Sequence, residues 1–469
     1  MAFVRFKKVY NNTYAYNVWK EKDENGKWKQ KSKYLGVVTD MGKGTYEKKR
    51  ESAEKQEMQI LEYGDSYLIN EVSAQLPFVS MLKTVFGAMF ETIMALIYHR
   101  IIVGGAMCHA EPWFDGNYVS RLFPNAKMTS QNISRVLSYL GQESVVRAFF
   151  AAYIPLVSKE ESGVVIDSTG LPNEIDMPIT DWGHHNGGIA FETRLILAVD
   201  KESERPLYFR YVAGNIGDVS TLANTIEEMK KSGISTSSAL LDAGYYSETN
   251  LKMLFAAEIT FLIRMPSNRT AYKRVIAENT DIESPKYAVQ YDKRGLFIKE
   301  NEIDLYGKKV FAYLVLDPER RGREISKMVS SIKEKNIELD KVDFSNCGKM
   351  VLLSSEQLKT TDVVPLYYTR QIAEKMFGIA KDDLDILPLR THSEPNFKGF
   401  MLLIFMSLII ACELKAKLGK DISIDKAIAI LKTLKCKIFD DTIIPNEVNK
   451  KQRILLEDIN VMVPKICGI

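Results

Sequence analysis

The stretch GVVID at residues 163–167 decides the fold. It is a short, apolar and β-branched run that ends in an acid, which is the pattern of a buried strand. Similar runs follow at residues 194–200 and 207–212, with no helical spacing between them. Three strands in succession predict a meander whose first strand ends in Asp167.

Helical and strand patterns alternate after this meander. Asp218 can cap the helix that follows, and a strand at residues 238–241 leads directly to Asp242. A second helix at about residues 248–258 and a strand at 259–265 complete the unit. The order βββαβαβ predicts an α/β domain in which helices cover the faces of a mixed five-stranded sheet. Ribonuclease H-like domains are built in this order.

The flanking sequence divides into further segments. Short aromatic and β-branched runs at the amino terminus predict a small β-sheet, and helical spacing replaces them farther along the chain. The predicted organisation is a basic amino-terminal β region at residues 1–40, a helical DNA-binding domain at 41–159, the first part of the α/β core at 160–265, a mostly β insertion at 266–361, the second part of the core at 362–420 and a carboxy-terminal region at 421–469.

Positive charge is concentrated at the amino terminus. The whole chain has a formal net charge of +3, yet residues 1–50 contain 13 Lys or Arg against 5 Asp or Glu, an excess of 13 − 5 = 8. Aromatic residues are interleaved with these cations, so the segment suits a nucleic-acid phosphate backbone with stacking surfaces. A solvated, charged hairpin has the same composition, and both interpretations stay open.

Composition excludes several other classes of protein. With 469 residues, 46% of them hydrophobic and 26% charged, the chain is long enough for several globular domains. Its five cysteines form no CxxC pair, which indicates reduced thiols in a cytoplasmic protein and no structural zinc. Apolar stretches at 77–107 and 399–412 are broken by charges or shorter than the roughly 20 residues that span a bilayer, so we expect buried helices and no membrane partner.

One helical segment carries four polar residues at regular spacing. Arg370, Glu374 and Lys381 follow Tyr367 at offsets of three, seven and fourteen residues. At about 100° per residue, these offsets place all four side chains on one stripe about 60° wide. A solvent-exposed helix with ordinary ion pairs is the alternative explanation for such spacing.

These four residues match the Y-x2-R-x3-E-x6-K signature of transposases of the insertion sequence 4 family, which this chain resembles. The motifs IDST at 166–169 and LDAGYY at 241–246 look similar to those that carry the family's other two acids. The aromatic, basic amino-terminal sheet resembles the branch typified by insertion sequence 1634. Gln371 departs from the aromatic residue that many relatives carry after the arginine.

The resemblance implies a DDE transposase with a ribonuclease H-like core. Asp167, Asp242 and Glu374 would be the catalytic carboxylates and would hold two Mg²⁺ or Mn²⁺ ions, while Tyr367, Arg370 and Lys381 would bind DNA. Two divalent ions about 3.5–4 Å apart can stabilise both the attacking and the leaving oxygen of a phosphoryl transfer. The implied partners are double-stranded DNA, as terminal inverted repeats and as target, and a second copy of the chain in a homodimer on DNA.

Two other functions remain open from the sequence. A catalytically silent DNA-binding relative would keep the fold without cleaving DNA, and a ribonuclease H-like nuclease would cleave without strand transfer. The expected location is the cytoplasm of a bacterial-type cell, in association with the nucleoid.

Overall fold

The structure is a computed structural model, and it describes residues 2–9, 12–22, 26–47, 59–158, 162–185, 188–335, 343–391, 393–439 and 442–468. Residues 48–58, at the start of the predicted helical domain, therefore lie outside the described residues. The chain divides into two compact units, which comprise Met1–Ile60 with Lys437–Ile444 and Ile466–Ile469, and Leu61–Cys436 with Pro445–Lys465.

The first unit begins with an antiparallel sheet. Its strands are β1 (Phe3–Val9), β2 (Asn12–Lys22), β3 (Trp28–Asp40) and β4 (Thr45–Glu47), hydrogen-bonded in that order. Gly26 lies between β2 and β3 with φ of +74°, a conformation that glycine adopts without a steric penalty. The sheet agrees with the aromatic and β-branched pattern of the sequence.

A helical region follows in the second unit. After the short strand β5 (Gln59–Glu62), its helices are α1 (Gly64–Ser73), α2 (Pro77–Phe86), α3 (Phe90–Ile102), α4 (Ala110–Gly116), α5 (Val119–Leu122), α6 (Ser130–Leu140) and α7 (Glu143–Val157). Pro77 occupies the first turn of α2, where its missing N–H costs no helical hydrogen bond. The Thr129 side chain caps α6 by accepting a hydrogen bond from the Asn132 amide.

The meander and the alternating elements form the centre of a large mixed sheet. They are β6 (Ser162–Pro172), β7 (Asp181–His185), β8 (Gly188–Asp200), β9 (Pro206–Ala213), α8 (Asp218–Lys231), β10 (Thr236–Leu241), α9 (Glu248–Ala256) and β11 (Thr260–Met265). β6 pairs with β8 in antiparallel and with β10 in parallel orientation, and β10 pairs in parallel with β11. The five predicted strands are therefore all present, in the spatial order β9-β8-β6-β10-β11.

The sheet is larger than the five strands that the sequence predicts. The inserted segment contains α10 (Thr270–Glu278), β12 (Ala288–Tyr291), β13 (Arg294–Leu305), β14 (Lys308–Leu316), α11 (Pro318–Lys335) and β15 (Lys349–Ser354). β15 pairs with β11, and β14, β13 and β12 continue outward, so that the sheet has ten strands. The insertion is thus a mixture of strands and helices, and it covers a strand edge that would otherwise expose unpaired backbone groups.

The rest of the second unit is mainly helical. It contains α12 (Thr360–Tyr368), α13 (Gln371–Gly378), α14 (Glu394–Leu418), α15 (Ile424–Leu431) and α16 (Lys450–Asp458). Three further strands of the described residues form a separate sheet with β5. They are β16 (Lys435–Phe439), β17 (Thr442–Pro445) and β18 (Cys467–Gly468). Among the described residues, Pro77–Ile102 and Glu394–Leu418 are long and apolar enough to cross a membrane, with 50% and 83% of their most apolar windows buried. The core helices of a soluble protein have the same composition.

Helix α14 packs on α6 at very short distance. A side chain on Gly399 would overlap the carbonyl oxygen of Leu137, and one on Gly141 would overlap that of Pro395. The backbones of the two helices therefore meet directly, which fixes the position of α14 against the helical region.

Candidate active site

Two acids lie side by side where neighbouring parallel strands meet. Leu241 of β10 is paired with Ile166 of β6, and Asp242 and Asp167 are the next residues of the two strands. Parallel strands lie about 4.8 Å apart, so these two aspartates are neighbours across the sheet. The prediction that the first strand ends at Asp167 was wrong. β6 continues to Pro172, because β8 provides pairing partners for it that far.

The signature residues belong to more than one helix. Tyr367 lies near the end of α12, Arg370 immediately precedes α13, and Glu374 lies within α13, whereas Lys381 falls in a π-helical turn, Ile379–Asp383. The prediction of one regular helix was therefore wrong. The backbone tightens at Arg370, whose amide bonds to the Tyr367 carbonyl three residues earlier, and it widens again in the π turn.

The Arg370 guanidinium joins two of the predicted acids. Its Nη1 is 2.8 Å from Asp167 Oδ2 and its Nη2 is 2.7 Å from Glu374 Oε1. The side chains of Asp167 and Arg370 are 14% and 16% exposed, whereas that of Glu374 is 50% exposed. The first contact is therefore a buried ion pair, and the second extends it toward solvent.

The other signature residues reach the same strand ends. The Tyr367 hydroxyl, which is almost completely buried, donates a hydrogen bond of 3.1 Å to Asp242 Oδ1. Lys381 Nζ donates a hydrogen bond of 2.7 Å to Thr169 Oγ1, two residues beyond Asp167 in β6. The structure thus brings all six predicted residues to the region where β6 and β10 meet.

Burial dominates the protonation of this cluster. It raises the pKa of Asp167 to about 6, with a smaller contribution from the carboxylates of Asp242 and Glu374 and an opposing one from Arg370. Burial by itself would lower the pKa of Arg370, but Asp167 and Asp242 outweigh it and raise that pKa. Burial also raises the pKa of the Tyr367 hydroxyl, which is therefore neutral and donates to Asp242.

Three carboxylates of this kind fit a hard divalent cation by donor chemistry. They are close enough for Asp242 and Glu374 both to raise the pKa of Asp167, so the cluster favours a positive charge. In this arrangement the positive charge is the Arg370 guanidinium, and no three His, Cys, Asp or Glu side chains within the described ranges are grouped as metal ligands. A metal ion held by these carboxylates would lie beside the Arg370 guanidinium.

A second charged cluster lies beside these acids. The prediction that Asp218 caps α8 was wrong, since Asp218 is the first residue of the helix and its side chain makes no capping hydrogen bond. Its Oδ1 instead accepts hydrogen bonds from Arg194 Nη1 and Ser168 Oγ, at 2.8 and 2.6 Å. Arg194 Nη2 is also 3.5 Å from Glu192 Oε1, a carboxylate that is completely buried. The cluster thus connects β8 and α8 to the residue that follows Asp167.

Three glycines make room for the buried Glu192. A side chain on Gly170, Gly183 or Gly214 would overlap the Glu192 side chain. Sequence reasoning missed this cluster, since Glu192 and Arg194 lie at the start of an apolar strand and the glycines come from separate segments. An arginine within such a strand was the available signal, because a buried charge needs a partner.

The fold and the site define a class of protein, in which a large mixed sheet carries a cluster of acids beside two neighbouring parallel strands. Family comparison narrows this class. The family model of the transposase DDE domain matches residues 158–410, which is more than half of the chain and includes all three predicted acids. The chain belongs to this family and is a transposase of the DDE type.

Two further comparisons, with solved structures and with curated proteins, carry no functional argument. Among solved structures, the chain is similar to the piggyBac transposase in a cryo-EM structure of its synaptic complex with hairpin DNA. The sequence identity is 12%, 79% of each chain is covered, and the TM-score is 0.42, a level of likeness that carries no functional argument. Comparison with curated proteins gives no match.

Proposed function

We propose that this transposase cleaves DNA at the ends of a mobile element and transfers the freed ends into target DNA. One observation carries the proposal: the signature residues Tyr367 and Arg370 bind the two neighbouring acids of the sheet, Asp242 and Asp167. A solvent-exposed helix with ordinary ion pairs would have no reason to place these side chains against partly buried acids of another element. The signature and the amino-terminal sheet favour the insertion sequence 4 family and its insertion sequence 1634-like branch, with a ribonuclease H-like core.

Asp167, Asp242 and Glu374 are the residues that would hold divalent ions, two Mg²⁺ or Mn²⁺. Such ions supply Lewis-acid stabilisation of the attacking and leaving oxygens of a phosphodiester. Asp167 lies in β6 and Asp242 directly follows β10, while Glu374 lies on a helix and is half exposed. The two aspartates thus provide a fixed part of the site, and the glutamate closes it from the solvent side.

Arg370, Lys381 and Tyr367 are the residues that we assign to DNA. Arg370 can exchange its carboxylate partners for phosphate oxygens, because a guanidinium binds both in the same bidentate geometry. Lys381 is half-buried at its hydrogen bond to Thr169, and burial lowers its pKa, so a phosphate nearby would stabilise its charged form. Binding of DNA would therefore withdraw Arg370 from the acids and leave their oxygens for the metals.

The remaining parts of the proposal follow the sequence. The substrates are double-stranded terminal inverted repeats and target DNA, the active assembly is a homodimer on DNA, and the location is cytoplasmic, in association with the nucleoid and without a membrane. The predicted segments at residues 1–40 and 41–159 are assigned to DNA binding. A silent DNA-binding relative and a nuclease without strand transfer are the competing functions.

The experiment compares Glu374→Gln with wild type in a cleavage and strand-transfer assay on DNA that carries the element's own ends, with Mg²⁺ or Mn²⁺. Loss of both products in the variant, with DNA binding retained, supports the proposal. The matched control is Glu248→Gln, which removes an exposed carboxylate whose partner is Lys252 one helical turn away. Cleavage without joined products in wild type indicates a plain nuclease, and binding without cleavage indicates a silent relative.

A further inference from the structure

The amino-terminal sheet has one face on which cations and aromatic rings alternate. Directly paired residues of neighbouring strands share a face, and Arg5 and Lys7 of β1 are paired with Tyr16 and Tyr14 of β2. Lys20 and Lys22 follow on the same face of β2 and are opposite Gln30 and Trp28 of β3. We call this face of the sheet the aromatic face. Its cations are Arg5, Lys7, Lys20 and Lys22.

The aromatic face carries five aromatic rings, three of which are joined by ring contacts. They are Phe3, Tyr14, Tyr16, Trp28 and Tyr34. Tyr34 contacts Tyr14 and Tyr16 with ring centroids 6.1 and 5.6 Å apart, and Lys22 lies 5.3 Å from the Trp28 ring centroid. Trp28 is 65% exposed and Phe3 57% exposed, so these two rings offer large apolar surfaces to solvent.

The opposite face of β1, β2 and β3 carries fewer aromatic rings among the described residues, Phe6 and Trp19, and a different mixture of charges. It also presents four cations, Lys8, Lys29, Lys31 and Lys33. However, Glu21 lies among them and forms an ion pair of 2.7 Å with Lys31. The residues of the aromatic face between Phe3 and Tyr34 that the structure describes include no Asp or Glu. Between Phe3 and Tyr34, the described residues therefore place an acid among the cations of the opposite face and none among those of the aromatic face.

We propose that the aromatic face binds single-stranded DNA. Cations that line a strand path bind phosphates, and exposed rings between them stack on bases, which gives affinity without sequence preference. In a duplex the flat faces of the bases are already stacked on one another, so exposed rings such as Trp28 find few base faces on which to stack. This function goes beyond end cleavage, because the face would hold DNA in which base pairs have been opened.

The test measures binding of the full-length chain to an oligothymidine of about 30 nucleotides, in EDTA, by fluorescence anisotropy over a range of salt concentrations. Trp28→Ala should weaken binding about tenfold, with an unchanged salt dependence, because it removes stacking and no charge. Joint replacement of Arg5, Lys7, Lys20 and Lys22 by Ala should weaken binding more and lower the salt slope by up to roughly 0.7 for each phosphate that the variant no longer neutralises. The matched control replaces Lys8, Lys29, Lys31 and Lys33 by Ala and removes the same charge from the opposite face.

Several outcomes would overturn this inference. Equal losses of affinity in the two fourfold variants would mean that the whole sheet attracts DNA by diffuse charge. Binding of an abasic oligonucleotide as tightly as the oligothymidine would exclude stacking. An equal loss of affinity of Trp28→Ala for a duplex of the same length would assign the face to double-stranded DNA. A change of oligomeric state in Trp28→Ala with unchanged binding would mark the face as an interface with a second copy. The assay needs neither metal nor element ends, so its failure is distinct from failure of the proposed cleavage.

Discussion

At the scale of single residues, Arg370 is the side chain that controls the acidic cluster. It binds one oxygen of Asp167 and one of Glu374, so a metal ion held by these two carboxylates would lie beside the guanidinium. Within a site that excludes most water, two cations near the same carboxylates repel each other by several kcal/mol at most. The guanidinium therefore competes with metal when DNA is absent.

Arg370→Gln should for this reason bind Mn²⁺ about tenfold tighter than wild type when no DNA is present, as measured by isothermal titration calorimetry. The same variant should cleave DNA more slowly, because it cannot bind the phosphate through a guanidinium. Arg321→Gln is the control, since that arginine pairs with Glu283 at the surface. Unchanged Mn²⁺ affinity would show that the guanidinium does not compete with the ion.

The raised pKa of Asp167 predicts how this residue makes the stability of the protein depend on pH. Its pKa in the folded chain is raised to about 6, above the ordinary value of 3.8, so the folded state binds more protons than the unfolded state between these values. In metal-free protein, Asp167 should therefore contribute a loss of stability as the pH rises from about 4 to 6, with no further loss from this group above that. Asp167→Asn should remove this loss and be more stable at pH 8 by at most about 3 kcal/mol, measured by urea denaturation. A variant less stable than wild type at pH 8 would contradict the sign.

At the scale of secondary-structure elements, the packing of α14 on α6 sets the position of the helix that follows the site. Gly399 lies within α14 and its backbone meets that of α6, where no side chain fits. Alanine stabilises an exposed helix by about 1 kcal/mol relative to glycine, whereas overpacking at a helix interface costs about 1–3 kcal/mol.

Gly399→Ala should accordingly lower the free energy of unfolding by about 1–3 kcal/mol in chemical denaturation. Gly322→Ala is the matched control, because Gly322 lies exposed in α11 with no neighbouring atoms in the way, and it should gain up to about 1 kcal/mol. Equal effects of the two changes would mean that α14 can move away from α6 at little cost.

At the scale of the whole second unit, the insertion completes the sheet that carries the site. β11 would be an edge strand in a five-stranded sheet, but β15 pairs with it from Leu262 to Met265. An edge strand exchanges its amide hydrogens readily, whereas an interior strand exchanges only when a larger part of the protein unfolds.

Hydrogen-exchange mass spectrometry should therefore find β11 protected as strongly as β10. β12, which is the outermost strand at that end, should exchange much faster. Rapid exchange throughout β11 would mean that the insertion is only loosely attached to the sheet.

The sequence by itself determined the elements around Asp167 and Asp242 and the residues of the candidate site. Strand runs that end in acids, and four polar residues at fixed spacing, are local patterns, and local patterns survive without knowledge of distant neighbours. Only the tertiary structure decided that β15 joins β11, that the signature helix is broken at Arg370, and that Glu192, Arg194 and Asp218 lie beside Asp167. Each of these depends on pairing or charge compensation between segments far apart in the chain, and no periodicity within one segment encodes which distant partner will satisfy it.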